Sequence, residues 1–370
     1  MKKAVYVFVL AALMTSAASA GNWWETIKVK GDLRYRHEMI KEDDADARNR
    51  HRLRARFGLF GDVSDNTKIG IQLATGSSDP VSTNQTLTGG FSSKSIVLDM
   101  AYFEMTNNKL PGFTLIGGKF HNPFFKAGSS ELIWDSDWNP EGGTLHYDKD
   151  FTNGSLQLTG AGLWIEERSK DKNSYLTAGQ GVLKFDLNEK KSSIALGGSY
   201  FYYGNAKEYA PFYDDGDAMG NTTMEMVDGS DTTTVYANGY ELFEAFGQFT
   251  HHFDNIPVTV MGDFVSNSAA DSLNSGWLVG FEIGKAKKVG SWALRYCYRN
   301  VEKDAVVGMY ADSDFRGGGT DAKGHEIGGS VVLSENTVFS VSYFDNKIGL
   351  EAPTQEDFKR LQVDLQLKFK

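Results

Sequence analysis

The sequence has one cysteine, Cys297, in 370 residues. That excludes a disulfide framework, even for a chain bound for an oxidising compartment. Proline is scarce, at 7 residues, and nowhere clusters, so no Pro-rich linker divides the chain. Lysine and arginine number 38 against 48 acidic residues, a net charge of −10. With no basic tract to offset this excess, nucleic acid is excluded as a partner. After residue 20 no apolar run approaches the ~18 residues that a membrane helix needs, and mean hydropathy is −0.37. A helical membrane protein is thereby excluded. A β-barrel of the outer membrane is not, because half of each of its strands faces water.

Residues 1–20 have the layout of a secretory signal. Lys2 and Lys3 precede the apolar stretch Ala4–Met14, and Ala18-Ser19-Ala20 is a small-x-small cleavage site. Residues 21–370 are then read as a single domain.

What is abundant is glycine, at 40 residues, and aromatic side chains, at 13%. The dominant pattern has period two. Leu361, Val363, Leu365, Leu367 and Phe369 alternate with Gln362, Asp364, Gln366 and Lys368. His51, Leu53, Ala55, Phe57 and Leu59 alternate with Arg50, Arg52, Arg54 and Arg56. Trp292, Leu294, Tyr296 and Tyr298 alternate with Ala293, Arg295, Cys297 and Arg299. Only a strand separates such sets onto two faces. About sixteen segments of this kind lie between residues 27 and 370. Their connections alternate, short turns such as 62–66 and 188–191 against long loops such as 76–94, 121–142, 204–238 and 301–323. The pattern predicts an all-β fold, a closed antiparallel transmembrane β-barrel with short periplasmic turns and long extracellular loops. Closure removes free sheet edges, as a membrane demands. An even strand count puts both ends of the chain on the short-turn side. Trp164, Tyr200, Tyr202, Trp277, Trp292, Tyr296 and Tyr298 fall on apolar faces near segment ends, as interfacial girdles would.

Residues 97–147 carry the most distinctive text: Leu98 to Tyr102, then Gly118-Lys119 with Asn122-Pro123-Phe124, then Trp134-Asp135-Ser136-Asp137-Trp138-Asn139-Pro140-Glu141-Gly142. This block resembles the putative porin family of Gram-negative outer-membrane β-barrels. One departure is the C-terminus, where the aromatic Phe369 stands one place before the last residue. The resemblance implies a porin-like barrel in the cell outer membrane, a passive water-filled channel for small hydrophilic solutes or ions. The alternative is a substrate-specific or gated outer-membrane transporter. An enzyme is not indicated, since no Ser–His arrangement suited to an outer-membrane phospholipase stands out. No cofactor is implied. The implied partners are outer-membrane lipids, lipopolysaccharide and solutes, with a homotrimer suggested by analogy to sixteen-stranded porins.

If the apolar set faces lipid, the polar set lines the lumen. That places Arg34, Arg36, Arg50, Arg52, Arg54 and Arg56 on one patch of wall, joined by Arg360 after closure, with Arg295 and Arg299 elsewhere on the lining. The loop 121–142 carries Glu131, Asp135, Asp137 and Glu141. In general porins the third loop folds inward, and the resemblance implies the same here. A basic wall facing an acidic loop would set a transverse field at a constriction, which governs ion preference. The competing reading pairs the arginines with strand carboxylates such as Asp32, Glu38 and Asp99, to stiffen the barrel. The local field at the narrowest point decides selectivity, and a basic wall there points to anions.

Other candidates carry less. The loop 204–238 is acidic (Glu208, Asp214, Asp215, Asp217, Glu225, Asp228, Asp231) but matches no calcium-loop spacing. His251 and His252 are adjacent in a strand and point to opposite faces, so they cannot share a metal; no metal site is expected. His37 and His51 fall on the apolar parity. Cys297 has no catalytic partner in sequence. Gly317-Gly318-Gly319 lacks the strand–helix context of a phosphate cradle.

Overall fold

Alternation of side chains is the organising fact of the fold. In a computed structural model, which describes residues 23–90, 92–189 and 191–369, the outward members of the first strands are exposed while the inward members are buried. Tyr35 is 45% exposed and Phe57 49%, while Arg36 is 5% and Arg54 6%. The signal expected over residues 1–20 lies outside the described residues.

The barrel strands are β1 (Lys28–Glu42), β2 (Arg48–Ser64), β3 (Thr67–Thr75), β4 (Ile96–Thr106), β5 (Phe113–Lys119), β6 (Glu141–Phe151), β7 (Gly154–Glu166), β8 (Ser174–Leu187), β9 (Ser192–Gly204), β10 (Tyr240–Phe253), β11 (Ile256–Asn267), β12 (Ser275–Gly284), β13 (Trp292–Val301), β14 (Ala322–Ser334), β15 (Thr337–Ile348) and β16 (Glu356–Phe369). Each pairs antiparallel with its sequence neighbours. β16 then returns to β1 in a register from Gly31↔Phe369 to Glu42↔Phe358, which closes the barrel. Sixteen tilted strands enclose a space wide enough for an aqueous lumen.

The long connections lie together at one end. Four matter here: L2 (76–95), L3 (120–140), L5 (205–239) and L7 (302–321). L2 adds the two-residue strand Gln85–Thr86 to the edge of β2, and L5 contains its own hairpin, Thr223–Asp228 with Asp231–Tyr236. Neither short piece is legible in the alternation. Exposed aromatics flank the apolar band at both ends, Trp164 and Trp277 near the loops and Trp292 near the turns, as amphipathic rings do at a membrane interface.

The buried core is inside the barrel, not between layers. Phe120, Phe124, Leu132, Ile133, Trp134 and Trp138 of L3 pack with Val306, Val307, Met309 and Tyr310 of L7. Both loops also pack on Phe201 and Tyr203 of β9, and on Tyr240 and Leu242 of β10. The loops therefore fill part of the lumen.

Candidate functional site

L3 turns inward where two glycines face each other across β5 and β6, Gly118 opposite Gly142. Both have positive φ, 119° and 145°. A Cβ on either would lie 2.3 Å from a neighbouring strand's carbonyl oxygen, so only glycine fits this departure point. The loop then crosses the lumen, held by side chains from distant strands. Gln180 of β8 exchanges two hydrogen bonds with the Phe125 backbone, at 2.7 and 3.0 Å. Gln248 of β10 accepts from the Gly128 amide at 2.7 Å. Arg295 of β13 donates to the Gly128 carbonyl, and Arg299 donates to that of Glu131 at 3.1 Å. Trp134 and Trp138 stack at 4.4 Å, with Phe201 edge-on to Trp134. Such aromatic pairs add about 0.5–1.5 kcal/mol each beyond burial.

L7 enters beside L3 and carries the same short text. Asp135-Ser136-Asp137-Trp138 of L3 is matched by Asp312-Ser313-Asp314-Phe315 of L7. In each, the first aspartate accepts from the amide of the second, at 2.7 and 2.8 Å. The two motifs interlock, since Asp135 donates its amide to the Tyr310 carbonyl and its carboxylate accepts from the Ser313 amide at 2.8 Å.

The second aspartate of each motif meets the arginine wall. Asp137 lies 3.5 Å from Arg54 and 3.9 Å from Arg56. Asp314 lies 3.2 Å from Arg36 and 2.9 Å from Arg360. The wall itself is built by β16, β1 and β2, whose register sets Arg34 opposite Arg54 and Arg36 opposite Arg52. Like charges so placed repel, and carboxylates between them relieve the repulsion. Asp32 binds Arg54 and Arg56 at 3.1 and 2.7 Å, Asp364 takes Arg36 in a two-pronged bond at 2.7 and 2.8 Å, and Glu38 pairs with Arg50.

The remaining candidates fall in several places. Glu131 accepts from the Ser136 amide and stays near Arg299, away from the β1–β2 wall. Glu141 is the first residue of β6, not part of the inward loop, and pairs with Lys119 at 3.1 Å near the rim. Asp99 does not meet the arginines. An irregularity in the β3–β4 pairing beside Gln72 turns it to Gln72 and Asn139, at 2.7 and 2.8 Å. Arg295 binds Glu282 and Glu326, and Arg299 binds Asp312 and Glu326. Cys297 is buried, with its sulfur 3.5 Å from Glu326. His37 and His51 sit opposite each other with ring centroids 4.9 Å apart. Among the described residues no group of three or more possible metal ligands assembles. Asp314 and its loop are a candidate element that alternation does not reveal; the repeated Asp-Ser-Asp-aromatic text is the available signal.

The first aspartates differ electrostatically from the second. Burial raises the Asp312 carboxyl to about 7, reinforced by Glu131 and partly offset by Arg299. Burial together with Glu131 and Asp312 raises Asp135 well above the ordinary carboxylate range. Against the effect of burial, Arg36 and Arg360 hold Asp314 below that range. The first aspartate of each motif thus holds its proton more readily than an ordinary carboxyl, while Asp314 stays ionised against the arginines of the wall.

Two cavities flank this layer. The outer one, of about 1000 Å³, is lined by Asp79, Ser82 and Thr83 of L2, Asp137 and Trp138 of L3, and Tyr310 of L7. The inner one, of about 690 Å³, lies under L3 among polar residues that include Gln248, Thr250, Glu282, Arg295, Ser330 and Ser342.

A family model described as putative porin matches residues 40–211 and 216–369. No curated protein matches the sequence. Among solved structures, Pseudomonas putida OprB aligns over 93% of this chain and 94% of its own, with TM-score 0.60 and 10% identity. Salmonella typhi OmpF aligns over 93% and 97%, with TM-score 0.57 and 11% identity. A loop-deleted form of Vibrio cholerae OmpT, an outer membrane protein, aligns over 93% and 99%, with TM-score 0.52 and 10% identity. At these identities the likeness is one of fold.

Proposed function

The chain belongs to the putative porin family of the outer membrane, and we propose that it forms a passive, water-filled channel for small hydrophilic solutes or ions, narrowed between a basic barrel wall and inward-folded acidic loops. The observation that carries this reading is the meeting of Asp137 with Arg54 and Arg56 inside a closed barrel. Opposed charges across a narrow lumen produce a field that orients and sorts charged solutes. The constriction residues in this reading are Arg34, Arg36, Arg50, Arg52, Arg54, Arg56 and Arg360 on the wall, with Asp137 from L3 and Asp314 from L7. Arg295 and Arg299 tie L3 and L7 to the opposite wall. The chemistry is diffusion, with no reacting group required. Lipids and lipopolysaccharide contact the outward apolar band. A homotrimer is part of the proposal and rests on the family resemblance.

A second reading is a substrate-specific or gated transporter. The deep packing of Trp134, Trp138 and Tyr310 across the lumen favours it, because an outer and an inner cavity flank a packed layer. Liposome swelling separates the two. Vesicles carrying the folded protein should swell in isotonic solutions of uncharged sugars, at rates falling smoothly with sugar size. Swelling with one solute alone supports the transporter, and no swelling with any solute opposes the channel.

A further inference from the structure

The ion pairs of the wall are uneven. Arg36, Arg54, Arg56 and Arg360 each have a carboxylate within 3.2 Å, and Arg50 has Glu38. Arg34 and Arg52, diagonal neighbours on β1 and β2, do not. The nearest carboxylate oxygen to Arg34, that of Asp364, is 4.0 Å away. Arg52 has none within ion-pair distance among the described residues. Each instead donates to a neutral side chain of L2: Arg34 to the Asn84 amide oxygen at 2.6 Å, and Arg52 to the Ser82 hydroxyl at 3.2 Å. The Nε of both is buried and meets no acceptor among the described residues. Diagonal positions on paired strands lie ~7–8 Å apart, a span that two guanidinium forks close around one oxyanion.

We propose that Arg34 and Arg52 form a binding site for a small oxyanion, a carboxylate or phosphate, which displaces the neutral caps Ser82 and Asn84 as it passes the constriction. An oxyanion offers a guanidinium a two-pronged bond and an opposite charge, neither of which a neutral hydroxyl or amide oxygen supplies, so the exchange favours the anion. The segment carrying the caps is anchored independently of them. Thr75 donates to the Thr83 carbonyl at 3.0 Å, Gln85 donates to the Gly76 carbonyl at 2.7 Å, and Thr86 pairs with Arg52 through the backbone. Rotation of two side chains is therefore enough to uncover the arginines. Access is from the outer cavity, whose lining includes Ser82 and Thr83. Carboxylates also line that cavity, and most are held by partners or by burial: Asp137 is paired with Arg54 and Arg56, Asp99 accepts from Gln72 and Asn139, Glu141 pairs with Lys119, Glu166 pairs with Arg168, and burial raises the Asp79 carboxyl. The inference rests on the channel reading for its route, not for the site.

The test is equilibrium binding of inorganic phosphate to the folded, detergent-solubilised chain, with chloride currents in planar bilayers measured alongside. One phosphate should bind per chain. R34Q/R52Q should weaken binding by at least about tenfold, as expected for loss of charge-assisted bonds. S82A/N84A, which removes the caps and leaves both arginines, should tighten it. Phosphate should reduce chloride current with the same half-saturation. No phosphate binding to the unaltered chain, unchanged binding in R34Q/R52Q, or weaker binding in S82A/N84A overturns the proposal. Should R34Q/R52Q fail to give the heat-modifiable folded band, S82A/N84A decides alone. Phosphate binding with silent bilayers would contradict the channel while leaving the site in place.

Discussion

Arg360 of β16 donates a hydrogen bond to Asp314 of L7 at 2.9 Å. The same aspartate is held by Arg36 at 3.2 Å and by Gln362 at 2.7 Å. One loop carboxylate thus neutralises arginines on the two strands that close the barrel.

Asp314→Asn removes that charge and keeps the shape. Breaking one partner of a buried ion pair costs about 3–5 kcal/mol when the other charge is left behind. The variant should unfold at a lower temperature and shift toward anion preference. Circular dichroism melting and zero-current reversal potentials in a salt gradient check the two effects. An unaltered melting point would mean that Asp314 does not brace the wall.

Replacing Arg52 and Arg54 together by Gln should move selectivity toward cations, because the wall loses two positive charges while Asp137 and Asp32 stay. The reversal potential in a potassium chloride gradient reads this directly. Selectivity equal to that of the unaltered chain would remove these arginines from the constriction.

The contact between L3 and L7 should weaken as pH rises. Burial, with Glu131, raises Asp312 to about 7, and Asp135 is raised for related reasons. A carboxyl raised in the folded state holds a proton there that the unfolded chain has already released. Stability from such a group falls as pH climbs from the ordinary aspartate range toward 7. Asp314, held below that range by its arginines, stays ionised throughout and does not contribute to this window. Limited proteolysis should cut L3 or L7 faster at pH 8 than at pH 5, and current noise should rise in step. Equal cleavage at both pH values would contradict this.

Trp134→Ala should loosen L3 without changing the sign of selectivity. Trp134 is 2% exposed and stacks with Trp138. Buried aromatic truncations cost about 3–5 kcal/mol. The expected result is a lower unfolding temperature and a noisier open state, with Asp137 still able to reach the wall.

The barrel was legible because its rule is local. Leu33 and Tyr35 outward with Asp32 and Arg36 inward can be read off neighbouring positions, and the barrel strands keep that rule except at local irregularities such as the one beside Gln72. The interior was only half legible. Of the four carboxylates expected at the constriction, Asp137 lies against the arginine wall; Asp135 turns to Ser313 of L7, Glu131 to the Ser136 amide and Glu141 to Lys119. Glu141 already belongs to β6, a boundary that composition does not mark. L7 was missed because alternation says nothing about where a long loop goes. Its destination depends on Asp135, Ser313 and Arg360, which are far apart in sequence and meet only after closure. The uneven pairing of Arg34 and Arg52 depends in the same way on where L2 lies.

A channel of this kind requires an open aqueous path through the barrel past the arginine wall. Single-channel recording of the purified, folded chain in planar bilayers with potassium chloride tests it most directly. Long-lived, ohmic conductance steps should appear, with a reversal potential that changes when Arg52 and Arg54 become Gln. A correctly folded barrel that inserts and passes no current would contradict it.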